Sequence, residues 1–408
     1  MGYGTLVVTS EPTNYYNSPY DPIIYECTWG GSTTTDPITN VRMQAVVTYG
    51  DDGATLGTQT KQSISVSGTE TFRFNFAEML KTVLSYEFYN NISSDQINAP
   101  ATAGDNRINN TFIVTFTPKY TDVNGDNQDD TTVAASVRYV SNVIIPRDDT
   151  TRVLNASSQW LAQSSTSKFL THSPQNKIIR EGEDEQLSFI HDTGNQVEYN
   201  YQTYDLGGNA NAAQTKALVT TDWRYGTLTI SDNGASTVID DFANISKIDV
   251  WIEDSTGTQL TEKKTYLIKQ GCEKGYRLWW GNSLGGYDKY TFRDYYNSTY
   301  VVDNRLDYTK PKDSTPTLEE RSKTTLGIDG NQHFKASSGF ISNEWMDFMK
   351  DLMNSTEVYY QPYTSTGFTT EIHPVVITSK EMVLEDSEGM IKMDIDFSYS
   401  EKEKTMIG

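Results

Sequence analysis

Residues 277–292 read Arg277-Leu278-Trp279-Trp280-Gly281-Asn282-Ser283-Leu284-Gly285-Gly286-Tyr287-Asp288-Lys289-Tyr290-Thr291-Phe292. Five aromatics and three glycines fall within these sixteen positions. Large apolar rings on both sides of a glycine pair dictate strand, tight turn, strand. Glycine reaches positive φ without steric cost, as a hairpin turn demands, so Gly285 and Gly286 are the expected turn residues. The stretch reads as a structural hairpin rather than a nucleophile site or a metal cage.

Alternation with a period of two marks strands elsewhere. Val41, Met43, Ala45, Val47 and Tyr49 alternate with polar residues, and Ile64 to Ser67 resumes the pattern after an Asp51-Asp52-Gly53 turn. Phe112 to Phe116 is a strand, and Val133, Ala135, Val137 and Tyr139 alternate again. Near residue 75 the period changes. Phe76, Met79, Leu80, Val83 and Leu84 make a helical stripe, with Asn75 as N-cap and Glu78 closing a capping box. A short helix over 75–86 therefore plugs a first β-sandwich domain, residues 1–150, which ends at Pro146-Arg147-Asp148-Asp149.

Residues 151–270 form a second β-rich unit. Its strands are Leu187 to Ile190, Val197 to Tyr199, Leu228 to Ile230, Ile248 to Ile252 and Tyr266 to Ile268, with turns at Asp205 to Gly208 and Asp232 to Gly234. Residues 271–408 make the third unit: the aromatic hairpin, a polar arm over 303–325, a helix over 342–354 and closing strands. The helix stripe is Trp345, Phe348, Met349, Leu352 and Met353, with Ser342 or Asn343 as cap and Asn354 as stop. Ile391, Met393, Ile395, Phe397 and Tyr399 give the cleanest strand in the chain. The expected fold is mainly β: two or three β-sandwich-like domains with two short amphipathic helices.

The charge narrows the partners. With 54 acidic against 33 basic residues, the net charge is −21. Such a chain repels phosphate and lacks the electrostatic footprint of a nucleic-acid binder. No segment approaches the roughly 18 apolar residues of a membrane span, and the start lacks the pattern of a secretory signal or lipid anchor. Two cysteines, Cys27 and Cys272, stand far apart and read as reduced buried thiols, with a bridge as the alternative.

Catalytic patterns are missing. His172, His191, His333 and His373 show no metal-ligand spacing, and no phosphate loop, dinucleotide fingerprint or serine elbow occurs. A glycosidase carboxylate pair would be invisible among so many acids. The best metal candidate is Asp122-Val123-Asn124-Gly125-Asp126-Asn127-Gln128-Asp129-Asp130. Its first three oxygen ligands match an EF-hand loop, but Asn127 replaces the turn glycine and Val133 the bidentate glutamate. A solvated hairpin loop turning at Asn124-Gly125 is the preferred reading. No cofactor or metal is expected.

Several short stretches together resemble structural tail proteins of tailed bacteriophages infecting Bacteroidetes, the crAss-like group included. They are Ser18-Pro19-Tyr20-Asp21-Pro22-Ile23, Phe74 to Leu80, Lys168 to Thr171 with Glu185 to Ile190, and Leu278 to Asn282 with Gly285 to Phe292. The resemblance implies a non-enzymatic virion component of a tail hub, ring or baseplate, made in the host cytoplasm. Its partners would be copies of itself in a ring-type homo-oligomer and other tail proteins. Strand edges, aromatic hairpins and polar arms suit such contacts. The candidate interface is Trp279, Trp280, Tyr287, Tyr290 and Phe292, or the 303–325 arm. A carbohydrate or receptor-binding tail-tip module is the alternative, and a glycan-depolymerising enzyme the third reading.

Overall fold

A computed structural model describes residues 5–12, 16–17, 22–30, 39–49, 53–62, 69–82, 96–97, 109–141, 159–191, 197–218, 224–231, 242–271, 274–309, 323–364, 367–369, 371–379, 383–385, 389–401 and 403–406. The fold is mainly β, with several sheets and two helices. None of the helices among the described residues is long and apolar enough to cross a membrane. The Ile64–Ser67 strand, the Asp232–Gly234 turn, the Pro146–Asp149 boundary and Cys272 lie outside the described residues.

The first segment contributes β1 (Thr5–Ser10), β2 (Tyr16–Asn17), β3 (Ile24–Gly30), β4 (Thr39–Tyr49), β5 (Ala54–Gln62), β6 (Glu70–Asn75), α1 (Ala77–Lys81), β7 (Gln96–Ile97), β8 (Asn109–Thr121), β9 (Asn127–Asp129), β10 (Val133–Ala134) and β11 (Arg138–Ser141), and all of these strands but β7 build the first sandwich. One sheet runs β1-β3-β6 and the other β2-β11-β8-β4-β5. Alternation along β4 buries Val41, Met43, Ala45 and Val47 against Tyr25, Cys27, Phe72 and Phe74 of the facing sheet. The expected continuous strand over 133–139 is two short pieces, because Ser136 and Val137 together stand opposite the single residue Ile113 of β8 and break the ladder. The helix expected over 75–86 starts two residues later, at Ala77, and positions 83–86 lie outside the described residues. Phe76 occupies its N-cap, with no capping side chain. Asn75 instead accepts from both Ile23 N and Ala77 N, at 3.1 Å each, so it ties strand to helix from one position earlier.

The second sandwich follows with β12 (Leu161–Ala162), β13 (Asn176–Arg180), β14 (Asp184–His191), β15 (Val197–Asp205), β16 (Gln214–Leu218), β17 (Arg224–Ser231), β18 (Ile245–Asp254) and β19 (Lys264–Lys269). The orders are β12-β14-β17-β7 and β13-β19-β18-β15-β16. Here β7 crosses the expected boundary: Gly226 and Thr227 pair with Ile97 and Gln96 of the first segment. Every residue of β14 is buried. Leu187 and Phe189 belong to the core shared with Val197, Ile248 and Tyr266, and Gly286 of the next unit presses on Ser188.

The third unit contains β20 (Tyr276–Gly281), β21 (Tyr287–Phe292), β22 (Tyr295–Thr309), β23 (Lys323–Ser342), α2 (Met346–Asn354), β24 (Val358–Gln361), β25 (Tyr363–Thr364), β26 (Gly367–Phe368), β27 (His373–Ile377), β28 (Val383–Glu385), β29 (Met390–Tyr399) and β30 (Glu403–Met406). Its large sheet runs β21-β20-β24-β27-β29-β23-β22, with β28 on β29 and β30 on β23, and β25 pairs with β26 in a separate two-stranded piece. A single 3-10 turn, Asn343–Trp345, leads into α2. That helix covers the sheet with Phe348, Met349 and Leu352, as its stripe dictates. The third unit thus packs a helix on its large sheet, whereas each of the first two pairs facing sheets.

Candidate functional site

The aromatic hairpin forms at the expected place, but its side chains turn inward. Trp279, Trp280, Tyr287 and Phe292 are buried, Tyr290 half-buried. Trp280 meets Phe348 edge-on at 4.8 Å, and Tyr290 packs between Phe292 and Trp345. Trp279 donates from Nε1 to Gln361 Oε1 at 3.0 Å, and Tyr287 donates to Glu357 at 2.8 Å. A ring buried in its own chain cannot meet a neighbour, so Trp279, Trp280, Tyr287 and Phe292 are internal packing and not a subunit contact, while Tyr290 keeps part of its ring exposed.

The turn differs from the glycine-pair expectation. Gly285 has a φ of 86° and needs glycine for that reason. Gly286 needs it for space, since a Cβ there would stand 2.8 Å from Leu170 O. Asn282 shapes the loop, accepting on Oδ1 from Leu284 N and Gly286 N, at 3.0 and 2.9 Å. Its amide also donates to Leu170 O and Asp288 Oδ2.

Around this hairpin lies a buried charge cluster that joins the second and third units. Glu183, Asp184 and Glu185 come from the start of β14, and Lys177 from β13. Arg277, Asp288, Lys289 and Arg293 come from the hairpin. Lys177 pairs with Glu185 at 2.9 Å, and Arg277 with Glu183 at 3.1 Å. Lys289 binds the Asp184 carboxylate and Arg293 the Glu183 carboxylate. Burial alone would raise Glu183, but the Arg277 and Arg293 guanidiniums outweigh it and hold the carboxyl below its usual range. Burial pushes Asp288 up to about 6, and Lys289 down to about 8. Ion pairs from Arg277, Lys289 and Arg293 to Glu183, Asp184 and Glu185 thus tie the hairpin to the residues that open β14.

One constellation has the residue types of a hydrolase. Ser283 Oγ lies 3.1 Å from Asp351 Oδ2 and 3.3 Å from His172 Nε2. The order is wrong for base catalysis. The serine hydroxyl and amide both donate to the aspartate, and His172 Nε2 is also the nitrogen nearest Asp351, at 3.7 Å. A relay needs the carboxylate on the far ring nitrogen.

The acidic loop closes as the hairpin between β8 and β9. Asp122 Oδ1 accepts from Asn124 N and Asp126 N at 2.9 and 3.0 Å, and Gly125 takes a φ of 86°. Among the described residues, no group of three or more His, Cys, Asp or Glu is placed to hold a metal. Cys27 is a free thiol in the first core.

The expected polar arm is different in kind. Its described ends are paired strand, the tip of a ribbon running from Tyr295↔Ser337 to Thr309↔Lys323. Residues 310–322 lie outside the described residues. Among the described residues β22 pairs with β23 alone, so a fifteen-residue strand forms the free edge of the sheet. Tyr295, Tyr296, Tyr300, Val301, Val302, Leu306 and Tyr308 on it are all exposed, Tyr295 and Tyr300 by 52%. Successive residues point to opposite faces of a strand, so this strand is wet on both faces. Tyr300 lies across Gly330, where a Cβ would meet its hydroxyl at 2.2 Å. Periodicity could not flag such an edge, because neither face is buried.

No protein-family model matches the sequence, and no curated protein matches it. Among solved structures it is similar to trypsin-activated alpha-2-macroglobulin from Escherichia coli, at 9% identity and a TM-score of 0.21, over 96% of this chain and 23% of that one. The native conformation of E. coli alpha-2-macroglobulin gives 9% and 0.21 over 82% and 22%. The chain spans less than a quarter of either, and likeness this slight carries no argument.

Proposed function

We propose that this chain is a non-enzymatic structural component of a bacteriophage tail, a hub, ring or baseplate piece that assembles with copies of itself and docks neighbouring tail proteins. The observation that carries this reading is the β22 edge. A long strand with unpaired backbone groups and exposed tyrosines is a template for another chain's strand, and proteins that remain monomeric blunt such edges. The buried charge cluster supports it, since it fastens two units into one body fit to bear load. The bonding order around Ser283 favours a structural role over hydrolysis. The test is mass spectrometry of particles banded to purity. The reading expects this chain in fixed ratio to the other virion proteins. Recovery from infected cells but not from particles would overturn it.

A second reading draws on the same strand. The exposed rings of Tyr295, Tyr300 and Tyr308 could stack on sugar faces, as a tail-tip carbohydrate or receptor-binding module would require. A glycan array separates the two: saturable binding lost on Tyr300→Ala favours the second, and an array without binding favours the first.

A further inference from the structure

The β22 edge divides into two parts. From Tyr295 to Val302 its register with β23 is unbroken. After Val302 an extra residue, Asp303, shifts the register, and a second shift follows Leu306. Such bulges bend a strand and spoil it as a template. The regular part is Tyr-Tyr-Asn-Ser-Thr-Tyr-Val-Val, eight residues without a charge, bounded by Asp294 and Asp303. All eight are exposed.

That absence of charge matters in a chain carrying −21. Two copies repel wherever their acidic surfaces meet, and like charges placed directly opposite destabilise a strand pair. An uncharged edge is where a second copy can approach at little electrostatic cost. β1 is also an uncharged edge strand, but its register with β3 holds for Thr5 to Val8 before shifting. It therefore offers half the regular length.

We propose that two copies of this chain join edge to edge through Tyr295–Val301, antiparallel, with Ser298 of one opposite Ser298 of the other. The register follows from symmetry. Directly opposite residues in an antiparallel pair point to the same face, so a two-fold axis normal to the sheet must pass midway between one residue and its own copy. With the axis at Ser298, Tyr296 faces Tyr300, Tyr295 faces Val301 and Asn297 faces Thr299. Aromatic pairs, aromatic with β-branched pairs and hydroxyl or amide pairs are the favourable cross-strand combinations. Val302 then falls opposite Asp294, beyond the paired stretch. Shifting the axis to Thr299 keeps one aromatic with β-branched pair, Tyr296 with Val302, but sets Tyr295 against Asp303 and Asn297 against Val301 and loses the Tyr296–Tyr300 pair. The contact continues the sheet across both copies. It is two-fold, so it links copies in pairs, and any ring closes through another surface. The inference rests on the reading of β22 as an assembly edge.

Site-specific disulfide trapping tests it, with light scattering of the same samples. Opposed Cα atoms in such a pair are roughly 5 Å apart, within disulfide reach. Two Tyr295 positions would be about 20 Å apart, at six residues' rise. Under mild oxidation, Ser298→Cys is expected to give at least tenfold more disulfide-linked dimer than Tyr295→Cys or the wild-type chain, which already carries Cys27 and Cys272. Should Ser298→Cys not fold, the double variant Asn297→Cys, Thr299→Cys reads the same register. The expected mass of the wild-type chain is an even multiple of 45.9 kDa. Even-numbered assembly without the Ser298→Cys bridge would overturn the register and leave the assembly reading standing. A 45.9 kDa particle at high concentration would overturn the edge itself.

Discussion

Lys289 Nζ sits 3.5 Å from the centroid of the Trp279 ring, directly across the β20–β21 pair, and the same ammonium is bonded to the Asp184 carboxylate. The hairpin's aromatic face thus serves as the wall of an ion pair that reaches into the preceding unit. Trp279 is almost wholly buried, so this contact is shielded from water. The pairing of a cation with an aromatic face is strongest when water is excluded.

Removing one partner strands the other. Lys289→Met leaves Asp184 buried with the more distant Arg277, at 3.7 Å, as its remaining cation. The expected loss is about 3–5 kcal/mol in urea unfolding. Asp184→Asn in the same chain should recover a large part of it. Strict additivity of the two substitutions would show that the pair is not coupled.

Asp288 gives the pH dependence. Burial raises its carboxyl from 3.8 to about 6 in the folded chain, so the folded state holds this proton more tightly than the unfolded one. The ionised form therefore costs stability above about pH 6. The cost shrinks as pH falls through 6 and is gone below 3.8. At about 1.4 kcal/mol per tenfold change in acidity, it amounts to roughly 3 kcal/mol at most. Asp351, also raised to about 6, acts in the same direction. Asp288→Asn should raise Tm at pH 7.5, with the gain shrinking towards pH 4.5. A gain independent of pH would contradict this assignment.

The hairpin turn discriminates between two uses of glycine. Gly286→Ala drives a Cβ towards Leu170 O, and the expected cost is about 2 kcal/mol. Gly285→Ala pays for positive φ instead, about 1 kcal/mol. Gly327, on β23, has open space around the added methyl, so Gly327→Ala should be close to neutral. Thermal melts of the three read the order directly.

Cys27 is fully buried, and burial pushes its thiol up to about 12. At pH 8 it should stay unmodified by a thiol reagent in the folded chain and react on unfolding. Peptide mapping after a brief pulse measures this. Rapid labelling of the native Cys27 peptide would show that the first core opens.

Some of this was legible in the sequence. Strand β29 could be read because burial alternates along it, with Ile391, Met393, Ile395 and Phe397 inside. Helix α2 could be read for the same reason at a period of 3.6. The charge cluster could not. Glu183, Asp184 and Glu185 resemble any solvated acidic run, and their partners Arg277 and Lys289 come about a hundred residues later. Burial of Trp279 and Tyr287 was hidden for the same reason, since the polar groups that receive them, Gln361 and Glu357, sit on or beside β24. The described ends of the 303–325 stretch, 303–309 and 323–325, read as loop because exposed strands show no apolar alternation. In Leu306, Asp307 and Tyr308 both faces meet water.

Imaging the intact phage particle, with this chain traced in density, tests the central claim most directly. The account predicts the chain in the tail, with the Tyr295–Val301 edge covered by a strand of another subunit. A particle without the chain, or one in which that edge faces solvent in every copy, would contradict it.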